Sequence, residues 1–311
     1  MNKKILTALA IIILFIPVTA HAAKLQNRTV SQPIIAILDT ALDTSLPIFK
    51  DRILFEVCLT QWSSCPNGLR EMEGTNSSTM RSDWISKNGF DHGTKIASLA
   101  VATNPDVQII FIRIIGADYN GLRQSAGEES VYAGLDWVLR NKDRFNIQAV
   151  SMSQGHHNLG LAETDYCPKT PMTEDKIKSL ADAGIPVFFP AGNDSDYVRI
   201  DWPACIPSAI AIGATIPSGK VAKYTNHDNN LTDFFALGTA MAVVPGGKSV
   251  NVAGTSASTV IAATQWATIK SVKPSLTYAQ IYDLISRTSK PIYNSKITNG
   301  KLINLYRALN D

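Results

Sequence analysis

The sequence predicts an α/β fold: one three-layer domain with a mostly parallel central sheet and helices on both faces. Five short runs of apolar, often β-branched residues are continuous rather than alternating, which is typical of strands buried on both faces. Segments with apolar residues at helical spacing lie between them, as in the crossovers of a parallel sheet. With 311 residues, 45% of them hydrophobic and 18% charged, the chain can bury one large core, and its composition excludes collagen, coiled coil and disorder.

Each element is predicted from its own residues. The strand runs are 34–38, 107–115, 147–152, 185–189 and 209–214. Helices are predicted over 130–140 and 173–183 from the spacing of their apolar residues. Two further helices follow polar loops, one beginning near Lys95 and one running through Ile269. No linker or internal repeat divides this order, so a single domain is expected.

Residues 1–22 are predicted to be a cleaved export signal. A basic start at Lys3 and Lys4 precedes the apolar run 5–18, and Ala20-His21-Ala22 has the small-x-small pattern of a cleavage site. The apolar run is shorter than the roughly 20 residues that span a membrane, so an uncleaved anchor is the less favoured alternative. The expected mature chain, 23–311, is secreted or periplasmic and has no membrane span.

The net charge gives no reason to expect nucleic acid as a partner. The chain has 29 Lys and Arg against 26 Asp and Glu. Removing Lys3 and Lys4 with the signal leaves 27 basic residues against 26 acidic ones, a near-balance without the excess of basic residues that nucleic-acid-binding domains carry.

Four cysteines in an exported chain favour two disulfides. Cys58 and Cys65 lie in a loop-like stretch and are predicted to pair locally, which leaves Cys167 with Cys205. Metal binding is the rival interpretation, but no Cys-x-x-Cys or histidine cluster has ligand spacing. We therefore predict no metal site and no required cofactor, while the sequence leaves open whether calcium binds.

Four loops carry the residue types of serine hydrolysis. They contain Asp39 after the first strand, His92 before a helix, Asn193 after the strand at 185–189, and Ser256 at the start of the last long helix predicted. Alone, each fits an ordinary turn or helix cap. Together they supply a nucleophile, a base, a carboxylate to orient the base and a donor for the oxyanion.

At these residues the sequence resembles the subtilisin-like serine proteases, the subtilases, whose triad follows the chain order Asp, His, Ser. The resemblance implies that Asp39 orients the base, His92 is the base, Ser256 is the nucleophile and Asn193 supplies the oxyanion amide. It also implies an endopeptidase whose extended peptide substrate pairs with an edge at 153–155. The residues implied in substrate binding are Ser153, Gln154, Gly155, Ala191 and Gly192.

Some positions depart from the family pattern. Gln154 replaces a usually apolar residue, and Val260 stands where proline is usual. Nothing resembles the family's common inhibitory propeptide, so a separate inhibitor is an open possibility. We also expect a monomer. His156 and His157 are predicted to lie in a solvated loop.

Two rival functions remain. The first is a catalytically weak or inactive binding protein on the same fold, since fold does not fix function. The second is an α/β-hydrolase esterase that uses Ser153 and His227, because 151–155 nearly matches a nucleophile elbow. This second hypothesis leaves the loops of Asp39, His92 and Ser256 unexplained.

Overall fold

A sheet of ten strands runs through the middle of the compact unit Gln32–Asp311. The computed structural model describes residues 31–87, 89–157 and 167–311, so the predicted export signal, 1–22, lies outside the described residues. The strands are β1 (Ile34–Asp39), β2 (Ile53–Leu59), β3 (Glu71–Glu73), β4 (Gln108–Arg113), β5 (Ala149–Met152), β6 (Val187–Pro190), β7 (Ile210–Thr215), β8 (Thr232–Leu237), β9 (Thr239–Val243), β10 (Ser249–Ala253), β11 (Lys290–Ile292) and β12 (Gly300–Leu302). The helices are α1 (Ser82–Ile85), α2 (His92–Thr103), α3 (Glu128–Phe145), α4 (Pro171–Asp182), α5 (Thr255–Val272), α6 (Tyr278–Thr288) and α7 (Leu305–Asn310).

The sheet is parallel except at its two edges. Its strand order is β11-β12-β8-β7-β6-β5-β1-β4-β2-β3, and only the edge strands β11 and β3 pair in antiparallel orientation within this sheet of the described residues. Strands β9 and β10 form a separate antiparallel pair. The mostly parallel sheet predicted from continuous apolar runs is confirmed.

Helices cover both faces of the sheet. This explains why the sequence of β1 is continuously apolar. Ile35 and Ile37 face the core formed with α2, α5 and α6, whereas Ala36 and Leu38 face the core formed with α3 and α4. All four side chains are fully buried. A strand between two helical layers has no solvent face, so alternation is lost.

The four cysteines form two disulfides, Cys58–Cys65 and Cys167–Cys205. Cys58 lies within β2, so its description as a loop residue is wrong; Cys65 lies in the turn that follows. Strands β2 and β8 were not among the predicted elements. Among the described helices, none is both long enough and apolar enough to cross a membrane.

Candidate active site

The carboxyl ends of three neighbouring parallel strands bring the predicted site segments together. Strand β1 lies beside β5, and β5 lies beside β6. Asp39 is the last residue of β1, the segment 153–155 follows β5, and 191–193 follows β6. Loops at this edge of an open α/β sheet converge on a common crevice.

His92 reaches Asp39 because α2 begins directly above the end of β1. The His92 Nδ1 atom lies 2.8 Å from Oδ1 of Asp39. Gly93 permits this approach, since a Cβ atom there would lie 2.6 Å from the carbonyl oxygen of Ala41. Asp39 is fully buried, whereas the His92 side chain is 26% exposed. A carboxylate acceptor at Nδ1 favours the tautomer that leaves Nε2 as a proton acceptor.

Ser256 lies in the first turn of α5, a helix buried on nearly all sides between the sheet and the neighbouring helices. Its hydroxyl donates to the carbonyl oxygen of Ser153 at 3.3 Å, and the Ser153 hydroxyl donates to the carbonyl oxygen of Ser256 at 3.0 Å. This exchange joins the start of α5 to the segment after β5. It also orients the Ser256 hydroxyl toward Ser153.

Thr255 orients the side chain of Asn193. Asn193 Oδ1 accepts a hydrogen bond from the Thr255 backbone N–H at 2.9 Å and from the Thr255 hydroxyl at 3.1 Å. With its oxygen held in this way, the amide nitrogen remains available as a donor. Asn193, His92 and Ser256 line one cavity of about 390 Å³. This cavity therefore combines a hydroxyl, an imidazole and an amide.

Gln154 contacts the Asp–His pair, which the sequence analysis did not foresee. Its side chain is 94% buried, with 6% relative exposure. The Nε2 atom donates to Asp39 Oδ1 at 3.0 Å and lies 3.1 Å from Nδ1 of His92. Its Oε1 atom accepts a hydrogen bond from Arg123. Gln154 and Arg123 also line a cavity of about 630 Å³ beside the segment 153–156. Arg123 belongs to no sequence motif, so its position near Asp39 and His92 could not be predicted.

Behind Gly192 lies a compact polar cluster around His157. Gly192 has a φ of 114°, and a Cβ atom there would lie 2.4 Å from Asp201 Oδ1 and 2.2 Å from Asn226 Nδ2. Only glycine fits this conformation and this space. His157 Nδ1 lies 2.8 Å from Asp201 Oδ1, and its side chain is 8% exposed. The prediction of a solvated loop is therefore wrong for His157.

His157, Asp194 and Asp201 also have the ligand types for a metal ion, with potential ligand atoms within 4.8 Å of one another. Asn226 Nδ2 already donates to both carboxylates, at 3.3 Å to Asp194 and 3.0 Å to Asp201. Burial raises the pKa of Asp201 to about 6, and the hydrogen bond to His157 opposes that rise. Hydrogen bonds and ion pairs account for this cluster, so we assign no metal to it.

The esterase alternative finds no support in the contacts of its two residues. The Ser153 hydroxyl is engaged with the Ser256 carbonyl oxygen. His227 is 1% exposed, lies 2.9 Å from Asn229 Oδ1 through Nε2, and packs its ring on Phe235. Burial lowers the pKa of His227. A histidine enclosed in this way is a core residue.

Two fold families were open from the sequence, the subtilases and the α/β-hydrolases. The model of the subtilase family, peptidase S8, matches residues 31–306. This chain belongs to the subtilase family. The family consists of serine proteases, which act on peptide or protein substrates, and the match includes all four loops identified above.

Curated subtilases are distant relatives of this one. Subtilisin BL of Lederbergia lenta is 25% identical over 228 residues, which are 70% of this chain and 77% of that protein. Subtilisin E of Bacillus subtilis is 27% identical over 234 residues, which cover 71% of this chain but 56% of that protein. The chain therefore spans little more than half the length of several relatives that it matches.

Solved structures agree with the fold. A protease of Pseudoalteromonas arctica superposes with a TM-score of 0.71 at 18% identity, covering 91% of this chain and 90% of that one. The protease domain of PatA superposes with a TM-score of 0.70 at 18% identity, covering 89% and 94%. At this identity the likeness concerns the fold alone.

Proposed function

We propose that this subtilase is an exported serine endopeptidase in which Ser256 attacks the substrate carbonyl, His92 is the general base, Asp39 orients His92 and Asn193 stabilises the oxyanion. The observation that carries the proposal is the meeting of His92, Asn193 and Ser256 in one cavity, with His92 held 2.8 Å from buried Asp39. These are the groups that acyl transfer through serine requires.

In the proposed reaction, the Ser256 hydroxyl turns from the Ser153 carbonyl toward His92 as substrate enters. Its oxygen forms the bond to the peptide carbonyl carbon while His92 Nε2 takes the proton. The Asn193 amide and the Ser256 backbone N–H, at the positive end of α5, stabilise the negative oxygen. His92 then protonates the leaving amine, and water attacks the acyl-enzyme by the same route.

The substrate is proposed to lie extended between the segment 153–155 and the pair Ala191 and Gly192. Ser153 and Gly155 would contribute main-chain pairing, as in strand addition to a sheet edge. Gln154 would contribute its main chain only, because its side chain is turned toward Asp39. The glycine at 192 keeps the backbone accessible on the opposite wall.

Two variants test the assignment of roles. Ser256→Ala should abolish peptidase activity and labelling by a fluorophosphonate, with little change in thermal stability, because one hydroxyl is a small part of the folding free energy. Asn193→Ala should lower kcat by about 100- to 1,000-fold with little change in KM, a magnitude taken from measurements on the corresponding donor in subtilisin. Peptide hydrolysis by Ser256→Ala at the wild-type rate would refute the proposal.

A catalytically weak or inactive binding protein is the second candidate, favoured by one contact. The Ser256 hydroxyl donates to Ser153 rather than to His92. The fluorophosphonate separates the two candidates: an active enzyme is labelled at Ser256 within minutes, and an inactive one is not. Absence of both labelling and peptide turnover would favour the binding protein.

Export, domain organisation and assembly complete the proposal. We infer that residues 1–22 direct export and are removed, that 23–311 is one peptidase domain, and that it acts as a monomer. N-terminal sequencing of protein recovered from the periplasm or medium tests the first point. A start near Ala23 is expected, and an intact Met1 on membrane-bound protein would contradict it.

A further inference from the structure

A second large cavity, of about 880 Å³, opens between the disulfide-closed loop 58–65 and the segment after β4. Its walls carry aromatic and apolar side chains, among them Trp62, Met80, Trp84 and Tyr119. Trp62 is 52% exposed and Tyr119 is 92% exposed, so the cavity is open to solvent. Aromatic walls around an open concave site are typical of ligand pockets.

Arg113, the last residue of β4, is the buried charge of this cavity. It is 1% exposed. Its Nε atom donates to the carbonyl oxygen of Ile115 at 3.1 Å and its Nη1 atom to that of Thr79 at 3.0 Å. In the part of the chain that the structure describes, Nη2 is enclosed without a hydrogen-bond partner, and no carboxylate pairs with the guanidinium. A buried cation without an anion is costly, so such a group calls for an anionic partner.

The neighbouring acidic side chains are engaged elsewhere. Glu56 lies on β2, on the face that Arg113 shares, because Cys58 is the register partner of Arg113. The Glu56 carboxylate accepts from the Asn76 N–H at 2.9 Å and from the Ser78 hydroxyl at 2.7 Å. Asp118 Oδ1 accepts from the N–H groups of Asn120 and Leu122, at 2.9 and 2.8 Å.

The rim carries one side chain of each charge, Arg81 and Asp118, so it leaves the charge of Arg113 unbalanced. Arg81 also lines the cavity, and its guanidinium lies 4.8 Å from the centre of the Trp84 ring. Its ion pair with Asp83 lies at the exposed surface, where such pairs contribute little. Burial lowers the pKa of Arg113 to about 10, so this side chain is still charged at neutral pH. Among the charged side chains that line the cavity, Arg113 is therefore the one left unbalanced, and it lies beside aromatic rings.

We infer that this cavity binds an aromatic carboxylate, whose ring packs among Trp62, Trp84 and Tyr119. The guanidinium of Arg113 turns its enclosed Nη2 toward the cavity and donates a hydrogen bond to the carboxylate. A charge-assisted hydrogen bond to a buried guanidinium is a strong contact, and the rings supply the apolar area. The same chemistry occurs in a free aromatic acid and in the C-terminal aromatic residue of a peptide. The cavity does not include His92 or Ser256, so the inference does not depend on the proposed catalysis.

The first test compares an acid with its neutral analogue. Titration calorimetry on the full exported protein carrying Ser256→Ala, which prevents self-cleavage, would use 3-phenylpropionate and 3-phenylpropanamide. The acid should bind saturably and the amide at least about tenfold more weakly, because the hydrogen bond from the guanidinium then ends on a neutral acceptor. Equal affinities, or no saturable binding of the acid, would overturn the inference.

Two arms distinguish the sources of the carboxylate. The tripeptide Ala-Ala-Phe is titrated with a free and with an amidated C-terminus. Binding of the free peptide identifies a peptide C-terminus as a ligand of this site, and binding of 3-phenylpropionate alone identifies a small acid. Both results support the inference, whereas failure of both ligands contradicts it.

Variants then locate the site. Arg113→Lys keeps the positive charge but loses the paired N–H donors of the guanidinium, and it should weaken binding of 3-phenylpropionate about tenfold. Because Arg113 is buried, its variants risk misfolding. A second variant, Tyr119→Ala, therefore changes the exposed wall of the cavity, and it should also weaken binding of 3-phenylpropionate. Tyr306→Ala on α7 is its matched control, since Tyr306 is 77% exposed and outside the cavity. Equal affinities of the Tyr119→Ala and Tyr306→Ala proteins would place the ligand elsewhere and overturn the inference.

Discussion

Ser153 and Ser256 exchange two hydrogen bonds, from the Ser256 hydroxyl to the Ser153 carbonyl oxygen at 3.3 Å and from the Ser153 hydroxyl to the Ser256 carbonyl oxygen at 3.0 Å. The pair joins residues 103 positions apart and ties the proposed nucleophile to the proposed substrate edge. The first bond must break when the Ser256 hydroxyl turns to His92, whereas the second can persist through the reaction. The Ser153 hydroxyl therefore supports the backbone that carries Ser256.

Ser153→Ala should lower the free energy of unfolding by about 1 kcal/mol and also lower kcat, because Ser256 loses a contact that fixes its backbone. Denaturant unfolding and peptide turnover measure the two effects. Ser151→Ala is the matched control: Ser151 is fully buried on the adjoining strand, and its hydroxyl has no hydrogen-bond partner among the described residues. A Ser151→Ala protein that loses as much turnover as the Ser153→Ala protein would contradict this role of Ser153.

Gln154 supports the Asp–His pair from the other side, and its replacement should act on kcat. Gln154→Leu removes a donor to the Asp39 carboxylate. If this hydrogen bond stabilises the transition state by its full energy, its loss lowers kcat by up to about tenfold. Gln154→Glu retains a partner for Arg123 but sets a second carboxylate against Asp39. The expected order of kcat at neutral pH is therefore wild type, Gln154→Leu, Gln154→Glu.

Turnover of a small activated ester and of a peptide by the three proteins checks this order. Gln154 also lines the cavity beside the segment 153–156, so a purely substrate-binding role would change KM for the peptide and leave ester turnover unaffected. That pattern would show that the contact with Asp39 has no catalytic effect.

The elements that the sequence predicts well are those whose residues all face a core. Strand β1 lies between two apolar layers, so its composition alone distinguishes it from a loop. Strands β2 and β8 were missed because each carries an acidic residue, Glu56 or Asp233. Their carboxylates are satisfied from distant parts of the chain: Asp233, for example, accepts from the Ala211 N–H at 2.8 Å and from the Tyr282 hydroxyl at 2.6 Å. Residues so distant in the sequence cannot be recognised as partners from the few residues around the strand.

The proposed site follows the same rule. The loops of Asp39, His92, Asn193 and Ser256 could be identified because motif and chain order recur in the family. The side chains that surround them could not, since Gln154, His157 and Arg123 are placed by tertiary contacts. His157 shows this most clearly: its loop position predicts solvent, whereas the carboxylates of Asp196 and Asp201, 3.3 and 2.8 Å away, enclose it.

Asp201 should make the stability of this protein depend on pH in an identifiable way. Its pKa of about 6 exceeds the value of about 3.9 expected in the unfolded chain, so the folded state binds more protons between these values. The contribution of Asp201 to the free energy of unfolding therefore falls as the pH rises from about 4 to about 6. Asp201→Asn removes this dependence.

Thermal unfolding of both proteins between pH 4 and pH 7, in the Ser256→Ala background, measures the effect. The Tm of the Asp201→Asn protein relative to wild type should increase with pH over this interval. Asp143→Asn serves as the control, because the Asp143 side chain is 90% exposed. A relative Tm that decreases with pH would mean that the ion pair with His157 outweighs the burial of Asp201.

Val260 should influence how well Ser256 is placed for amide hydrolysis. Val260 is fully buried in α5, and helical geometry directs its N–H at the carbonyl oxygen of Ser256, four residues earlier. That oxygen also accepts a hydrogen bond from the Ser153 hydroxyl, so two donors act on the main-chain carbonyl of the proposed nucleophile. In the family pattern a proline at this position would remove one donor and crowd the carbonyl. We expect the valine to hold Ser256 slightly away from the usual position, and a displacement of about 1 Å can cost roughly 100-fold in rate.

Val260→Pro should therefore raise the ratio of amide to ester turnover, even though proline within a helix costs about 3 kcal/mol of stability. Val260→Ala separates the two causes, because alanine loses the packing of the valine side chain but keeps the backbone N–H. Matched ester and amide substrates of the same acyl group measure the ratio in all three proteins, with circular dichroism to verify folding. If a folded Val260→Pro protein has the wild-type ratio, or if Val260→Ala changes the ratio equally, the N–H of Val260 does not set the position of Ser256 and the valine acts through core packing alone.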